Sequence, residues 1–296
     1  MGYSIVQWMF FFFVYCFVGW VWECTYCSII ERHITNRGFM RGPVIPIYGC
    51  GTTVMLLVSA PFKDNVALIF LAGMVGATLL EFVTGALMEA LFKVRYWDYS
   101  HVPLNIHGYV CLGASLGWGL AAVLLNKFIH VPVERLESAI PNKYEQLIVL
   151  LVTMIFVADF SISFKAALDL RDILIRMESI KAEAERMQRR VDVLLAVATD
   201  EKDKWVDRRQ AQISDMLASM ENVLAGAKDK IAIPDGAREE LIELRTKAGM
   251  LKDRLTAMFS FRGKLNSLII KGNPRMVSKK FQASLDELKA YYNNRK

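Results

Sequence analysis

The sequence predicts an all-α chain: a polytopic membrane bundle of about five transmembrane helices, followed by a C-terminal cytoplasmic helical hairpin or coiled coil. Of the 296 residues, 54% are apolar. The apolar excess sits before about residue 168, and most of the charge comes after it. This contrast divides the chain into a transmembrane domain, 1–168, and a cytoplasmic helical domain, 169–296.

Crossing about 30 Å of hydrocarbon takes roughly 20 apolar residues at 1.5 Å each. Residues 5–22, 42–62 and 66–80 carry no charge, 102–126 is interrupted only by His107, and 147–164 only by Asp159. Spans are therefore expected near 4–30, 47–62, 65–92, 107–127 and 146–168. The first lacks a basic start and is too long and too aromatic for a cleavable signal peptide. Lysine and arginine near the span ends set the orientation. Arg32, Arg37 and Arg41 follow the first span, Lys93 and Arg95 the third, and Lys165, Arg171 and Arg176 the fifth. With five spans these ends share the cytoplasmic face, although the 127–145 connection outside also holds Lys127, Arg135 and Lys143. The chain is then a multi-pass protein of the cell membrane, with its N-terminus outside and its C-terminus cytoplasmic.

Cys16, Cys24, Cys27, Cys50 and Cys111 all fall within or beside spans, where thiols pack as small apolar groups. Cys24 and Cys27 form a C-x-x-C with no second pair to complete a zinc site. His33, His101 and His107 are too scattered for one. The residues call for no metal and no cofactor.

From 169 to 231 charged residues alternate with Leu174, Met177, Val191, Leu194, Ala198, Ile213, Leu217, Met220 and Leu224, the pattern of an amphipathic helix. Ile233-Pro234-Asp235-Gly236 marks a turn, and a second helix with Leu241, Leu244, Ala248, Leu251, Leu255 and Met258 on one face runs to about Ser260. The sequence pI near 9.0 raises nucleic acid as a partner, but acids are interleaved with the bases and no nucleic-acid motif is present. No nucleic-acid binding is expected. The basic residues between Lys264 and Lys280 suit anionic lipid head groups instead.

Ionisable residues inside a membrane cost several kcal/mol and face a bundle interior or a wet cavity. Glu23, Glu81, Glu89 and Asp159 are the candidates. Glu81, Gly85 and Glu89, at i, i+4 and i+8, share one helix face, with the two acids about 12 Å apart along the axis. That excludes a shared-proton dyad and allows a path or two separate cation partners. The loop Tyr96-Trp97-Asp98-Tyr99-Ser100-His101-Val102-Pro103-Leu104-Asn105-Ile106-His107-Gly108 follows. An interfacial aromatic belt accounts for Tyr96, Trp97 and Tyr99 but not for Asp98, Asn105 or His107. There is no G-x-x-x-x-G-K-[ST], G-x-G-x-x-G or G-x-S-x-G, so any ATP-driven engine would have to be another subunit.

Several motifs occur in order: Gly19-Trp20-Val21-Trp22-Glu23; Asn36-Arg37-Gly38-Phe39 with Gly42-Pro43; Pro46-Ile47-Tyr48-Gly49 and Gly51; Glu81, Gly85 and Glu89; Trp97-Asp98-Tyr99-Ser100 with Pro103-Leu104-Asn105 and Gly108. Over about residues 5–125 the chain resembles the ABC-transporter type IV family, the CmpB-like membrane proteins. Lys271-Gly272-Asn273-Pro274-Arg275 is similar to family members more weakly. The resemblance implies a permease role and carries over no substrate or catalytic residue.

Residues 38–51 hold four glycines and two prolines, which bar a regular helix there. Irregular backbone at membrane depth persists only where protein or a wet cavity satisfies it. Residues 36–51 then form a folded cytoplasmic loop leading into a broken second helix. Glu23, Arg37, Arg41, Tyr48, Glu81, Glu89, Asp98 and Asn105 form one hypothetical pocket opening inward, with Asp159 a further mid-membrane acid. Gly73 and Ala77, and Gly113 and Gly117, suit close helix contacts or a homodimer interface.

Three function classes follow. The first in rank is an integral membrane transport protein, permease-like, taking an ion or small solute. The second is an intramembrane lipid-modifying enzyme using these acids as acid and base. The third is a membrane scaffold or signalling protein acting through its helical tail. Absent any catalytic motif, the balance is against an enzyme. The expected partners are membrane lipids, a second copy of the chain and a cytoplasmic protein on the tail.

Overall fold

A computed structural model describes residues 2–32, 35–198, 235–261 and 263–294, with 215, 217, 218 and 222 besides. The chain is mostly helical and forms two compact units, Met1–Asp169 with Asn266–Lys279, and Leu170–Leu265 with Lys280–Lys296. Its helices are α1 Ile5–Glu31, α2 Pro46–Ser59, α3 Val66–Phe92, α4 Leu112–Leu124, α5 His130–Ser138, α6 Asn142–Ala198, α7 Asp235–Phe261, α8 Gly263–Gly272 and α9 Gln282–Asn294. A 3-10 turn, Ala60–Phe62, ends α2, and a π turn, Leu125–Ile129, joins α4 to α5.

Local chemistry sets the ends of these helices. Ser4 caps α1 through a reciprocal box, its Oγ accepting from the Gln7 amide at 3.2 Å while Gln7 Oε1 accepts from the Ser4 amide at 2.9 Å. Pro46 opens α2, where its missing N–H is no loss. The Asn65 side chain caps α3, accepting from the Leu68 amide at 3.2 Å. Left-handed Lys93 closes α3, its amide donating to the Glu89 carbonyl at 2.9 Å.

Four helical stretches, Ile5–Ile30, Val66–Phe92, Leu112–Ser138 and Asn142–Val193, are long and apolar enough to cross a membrane, with Pro46–Phe62 a shorter apolar helix. Leu71, Leu79, Leu87, Leu120 and Ile155 are exposed on them, the signature of helices whose solvent is lipid. The chain is a multi-pass membrane protein.

Successive helices pack in order, α1 on α2, α2 on α3 and α3 on α4. The core between them is Phe10, Phe11, Tyr15, Met55, Leu56, Ile69, Ala77 and Ala122. Small residues permit this approach. A Cβ on Gly73 would collide with the Ala122 side chain, and one on Gly19 with the Tyr48 ring. Gly113 and Gly117, by contrast, face open space.

The fourth apolar stretch becomes helical only at Leu112. Before it, Asn105–Ile106 (β1) and Val110–Cys111 (β2) form a two-stranded antiparallel hairpin, with His107 and Gly108 at φ 55° and 78° in its turn. The helix of the fifth stretch runs on past 168 into the expected amphipathic segment, and no glycine or proline interrupts the chain from Asn142 to Ala198.

Buried His130, 3% exposed, ties α1 to α5. Tyr15 Oη lies 2.8 Å from its Nδ1 and Tyr3 Oη 3.1 Å from its Nε2, while Tyr3 also donates to Glu134 Oε1 at 2.7 Å. A phenol has one proton to give, so Tyr3 accepts from Nε2–H and Tyr15 donates to Nδ1. His130→Ala removes the imidazole partner of the Tyr15 hydroxyl and one of the two partners of the Tyr3 hydroxyl, which keeps Glu134. We expect a loss of about 1–3 kcal/mol, read as a lower midpoint of thermal unfolding in detergent. An unchanged midpoint would show that the two tyrosines do not depend on the imidazole.

In the second unit, Leu170, Ile173, Met177, Ile180, Ala184, Met187 and Val191 of α6 are buried at alternating spacings of three and four, as are Leu244, Ala248, Leu251 and Leu255 of α7. Arg190 pairs with Glu240, and Ser284 Oγ donates to Glu178 Oε2 at 3.4 Å. The residues expected to continue the helix beyond 198, including Ile213, Met220 and Leu224, and the Ile233-Pro234 half of the expected turn, lie outside the described residues.

Candidate functional site

Three of the four membrane acids, Glu23, Glu81 and Glu89, each belong to a bonded group in the first unit. In the first, Tyr48 Oη donates to Glu23 Oε2 at 2.7 Å, and Arg37 Nε stands 3.5 Å from Glu23 Oε1. Gly19, one turn before Glu23, leaves the room that the Tyr48 ring needs beside α1. Further bonds hold Arg37, whose carbonyl accepts from the Cys24 thiol at 3.8 Å. Its amide meets Cys24 Sγ at 3.2 Å, and its Nη2 donates to the Tyr96 carbonyl at 3.2 Å. Its Nη1 is buried with no hydrogen-bond partner among the described residues. Asn36 fastens the same loop, accepting from Trp20 Nε1 at 2.7 Å and donating to the Arg41 carbonyl at 3.1 Å.

The second group surrounds Glu81, 6% exposed on α3. Trp118 Nε1 of α4 donates to its Oε2 at 2.9 Å, and Tyr99 Oη of the 93–104 loop to its Oε1 at 3.4 Å. Both donors are neutral, and Glu81 has no ion pair among the described residues. The Tyr48 and Trp118 rings meet edge to face at 6.3 Å, so the first two groups adjoin.

Arg95, 2% exposed, organises the third. Its Nε donates to Glu89 Oε2 at 2.6 Å, its Nη1 to Asp98 Oδ1 at 3.0 Å, and its guanidinium lies 4.5 Å from the centre of the Tyr109 ring. Tyr109 Oη also donates to Glu89 Oε2, at 2.6 Å. Burial works against the charge of Arg95, but Glu89 and Asp98 outweigh it and raise its pKa. Burial likewise works against Asp98. The Ser100 hydroxyl and amide, at 2.5 and 3.1 Å, together with Arg95, hold it below the usual carboxylate range. Burial, then the charge of Glu81, push the Tyr99 phenol up.

Gly85 stands where a side chain would press on Tyr109 and Trp97, at 3.1 and 3.3 Å. The glycine between the two glutamates therefore admits aromatic rings. Gly108 serves the same group, since a Cβ there would fall 2.6 Å from Asp98 Oδ1 and 2.7 Å from Arg95 Nη1.

Of the remaining candidates, Asn105 is a loop fastener, donating to the Val102 carbonyl at 2.8 Å and accepting from the Gly108 amide at 3.0 Å. Asp159 Oδ2 accepts from the Gly42 amide at 2.8 Å, tying α6 to the glycine-proline loop. Arg41 is exposed. A cleft of about 570 Å³ opens beside Trp20, Cys24, Ile29, Arg32 and Asn36, and none of the nine candidate residues lines it. That cleft is therefore a weaker guide to chemistry than the bonded acids. No group of three or more metal-ligating side chains occurs among the described residues.

Sequence reading alone passed over Trp118 and Tyr109, assigned Tyr99 to the aromatic belt, and counted Arg95 as a topological marker and a nearby cation without placing it in the site. Their signal was slight: each is a single aromatic or basic residue at a membrane boundary, where such residues abound.

No curated protein and no solved structure matches the chain. Glu23, Arg37, Tyr48, Glu81, Glu89, Arg95, Asp98 and Tyr109 all fall within residues 10–164, which match the family described as "Putative ABC-transporter type IV", and the chain belongs to that family.

Proposed function

We propose that the chain is a permease-like transport protein in which Glu81 binds an ion or small cationic solute. The observation that carries this reading is the state of Glu81. A carboxylate is buried within an apolar helix and held by a phenol and an indole, with no cation beside it among the described residues. Such a group is expensive to keep in a membrane, and a mobile cation is the partner its site lacks. Glu23 and Tyr48 extend the acidic surface toward the loops, and Arg37 and Arg95 with Glu89 and Asp98 form its rim. Asn105, Asp159 and the Arg41 carbonyl fix the loops around it.

In this reading the 17 residues of Pro46–Phe62 make a fifth crossing, at about 25 Å. The N-terminus is outside, and the loops and tail are cytoplasmic. The open Gly113-x-x-x-Gly117 face of α4 supports a homodimer. The three-and-four spacing of buried residues in α6 and α7 supports a coiled-coil hairpin that receives a cytoplasmic protein. A tail of that kind also favours a second reading, a scaffold, whose activity would survive Glu81→Gln but not removal of 169–296.

The test is flux of sodium, potassium and methylammonium into proteoliposomes. Glutamine keeps an oxygen for Trp118, so the fold should persist, and we expect Glu81→Gln to lower flux of the transported cation about a hundredfold, the effect of deleting a charge partner worth roughly 3 kcal/mol. Equal flux through both proteins would exclude Glu81 as the binding group.

A further inference from the structure

The two loops that hold the site's arginines are fastened by a segment from far along the chain. Helix α8 ends at Gly272, before Asn273-Pro274, and the backbone then runs back over both loops. Asn273, 1% exposed, spends its amide group twice, on the Ile269 carbonyl of its own helix and on the Gly38 carbonyl, each at 3.0 Å. Gly272 passes so close that a Cβ would stand 2.7 Å from the Asn36 carbonyl oxygen. Farther along, Val277 and Arg95 exchange both backbone bonds, at 2.7 and 3.0 Å. Ser278 Oγ then donates at 2.6 Å to the carbonyl of Lys93, the left-handed residue that closes α3. One segment thus grips the Arg37 loop at 36–38 and the Arg95 loop at 93–95.

We propose that residues 269–278 are a strap that holds the loop end of the site closed, and that its release opens the way to Glu81; this rests on the transport reading of that site. Both loops carry a guanidinium that holds acids, Arg37 on Glu23 and Arg95 on Glu89 and Asp98. Shifting either loop therefore changes the acids directly. The strap is continuous at both ends with residues of the second unit, up to Leu265 and from Lys280. Any displacement there reaches the loops through the covalent chain. The second unit is in this way a regulatory input to the site.

Cys24 reports on the strap without reference to transport, because its half-buried Sγ is bonded to the Arg37 loop, taking the Arg37 amide at 3.2 Å and donating to the Arg37 carbonyl at 3.8 Å. The full chain is placed in lipid nanodiscs, and the rate at which Cys24 reacts with a water-soluble maleimide is followed by peptide mass spectrometry. Loss of one buried bond shifts an opening equilibrium by about tenfold, and Asn273→Ala is expected to raise the Cys24 rate by that factor. Gly272→Val should raise it further, with helical content unchanged. Should Gly272→Val fail to fold, Asn273→Ala and the milder Ser278→Ala decide the matter. Wild-type rates in both of those would overturn the strap. Glu81→Gln is the separating control. It should leave Cys24 labelling as in the wild type while lowering flux, so a failed flux test removes the transport reading and the labelling still judges the strap.

Discussion

Replacing Arg95 by alanine is expected to cost the membrane unit about 3–5 kcal/mol, the usual penalty for leaving buried charges without their partner. Glu89 Oε2 and Asp98 Oδ1 both depend on this guanidinium, which is itself 2% exposed. The loss adds that of the cation over the Tyr109 ring. Arg95→Lys should recover only part of it, since an ammonium is a point donor and cannot reach two acids in the fixed fork of arginine. Neutralising the acids as well, in Arg95→Ala with Glu89→Gln and Asp98→Asn, should recover more. The measurement is thermal or denaturant unfolding in detergent followed by helical signal. A wild-type midpoint for Arg95→Ala would mean that the pairs contribute nothing.

Gly19→Val is expected to have an effect of similar size by a different route. A side chain at 19 would occupy the Tyr48 ring, so the ring must leave and take with it the 2.7 Å bond to Glu23 and the edge contact with Trp118. Overpacking typically costs about 1–3 kcal/mol, and the loss of one hydrogen bond to half-buried Glu23, which keeps Arg37 nearby, about 1 more. Gly113→Val is the matched comparison, with nothing within 4 Å of the added atom. It should leave unfolding of the monomer unchanged and, on the dimer reading, lower the dimer fraction seen by cross-linking. Equal midpoints for the two variants would contradict the close approach of Tyr48 to α1.

The helical ends near 30, 65 and 92 were legible because charge, Asn65 and Lys93 mark them in the sequence. The start of α4 was not. Residues 105–111 carry no lysine, arginine or acid, as a span would not, but His107 and Gly108 at positive φ make them a hairpin, a backbone property that a count of charges does not register. The polarity change near 168 marked the end of an apolar span but not of the helix, which continues to Ala198 through the expected amphipathic segment. Helix propagation responds to glycine and proline, and the stretch has neither. Glu23, Tyr48 and Arg37 were singled out in the sequence and stand in contact, because motifs one short loop apart tend to meet. Arg95 was left out of the site, and the backbone pairing that fixes its loop, to Val277 almost two hundred residues away, is one that no local pattern encodes.

That separation also dictates an order of events in the making of the protein. Gly38 and Lys93 wait for partners 235 and 185 residues farther along. At about 5–20 residues per second, the ribosome takes roughly 10–50 s to go from Gly38 to Asn273. The apolar helices are all synthesised before then, so the nascent protein stands in the bilayer with these loop carbonyls still open to water. Completion of the membrane unit is therefore post-insertional, and a chain interrupted before residue 273 would be inserted without its final fastening.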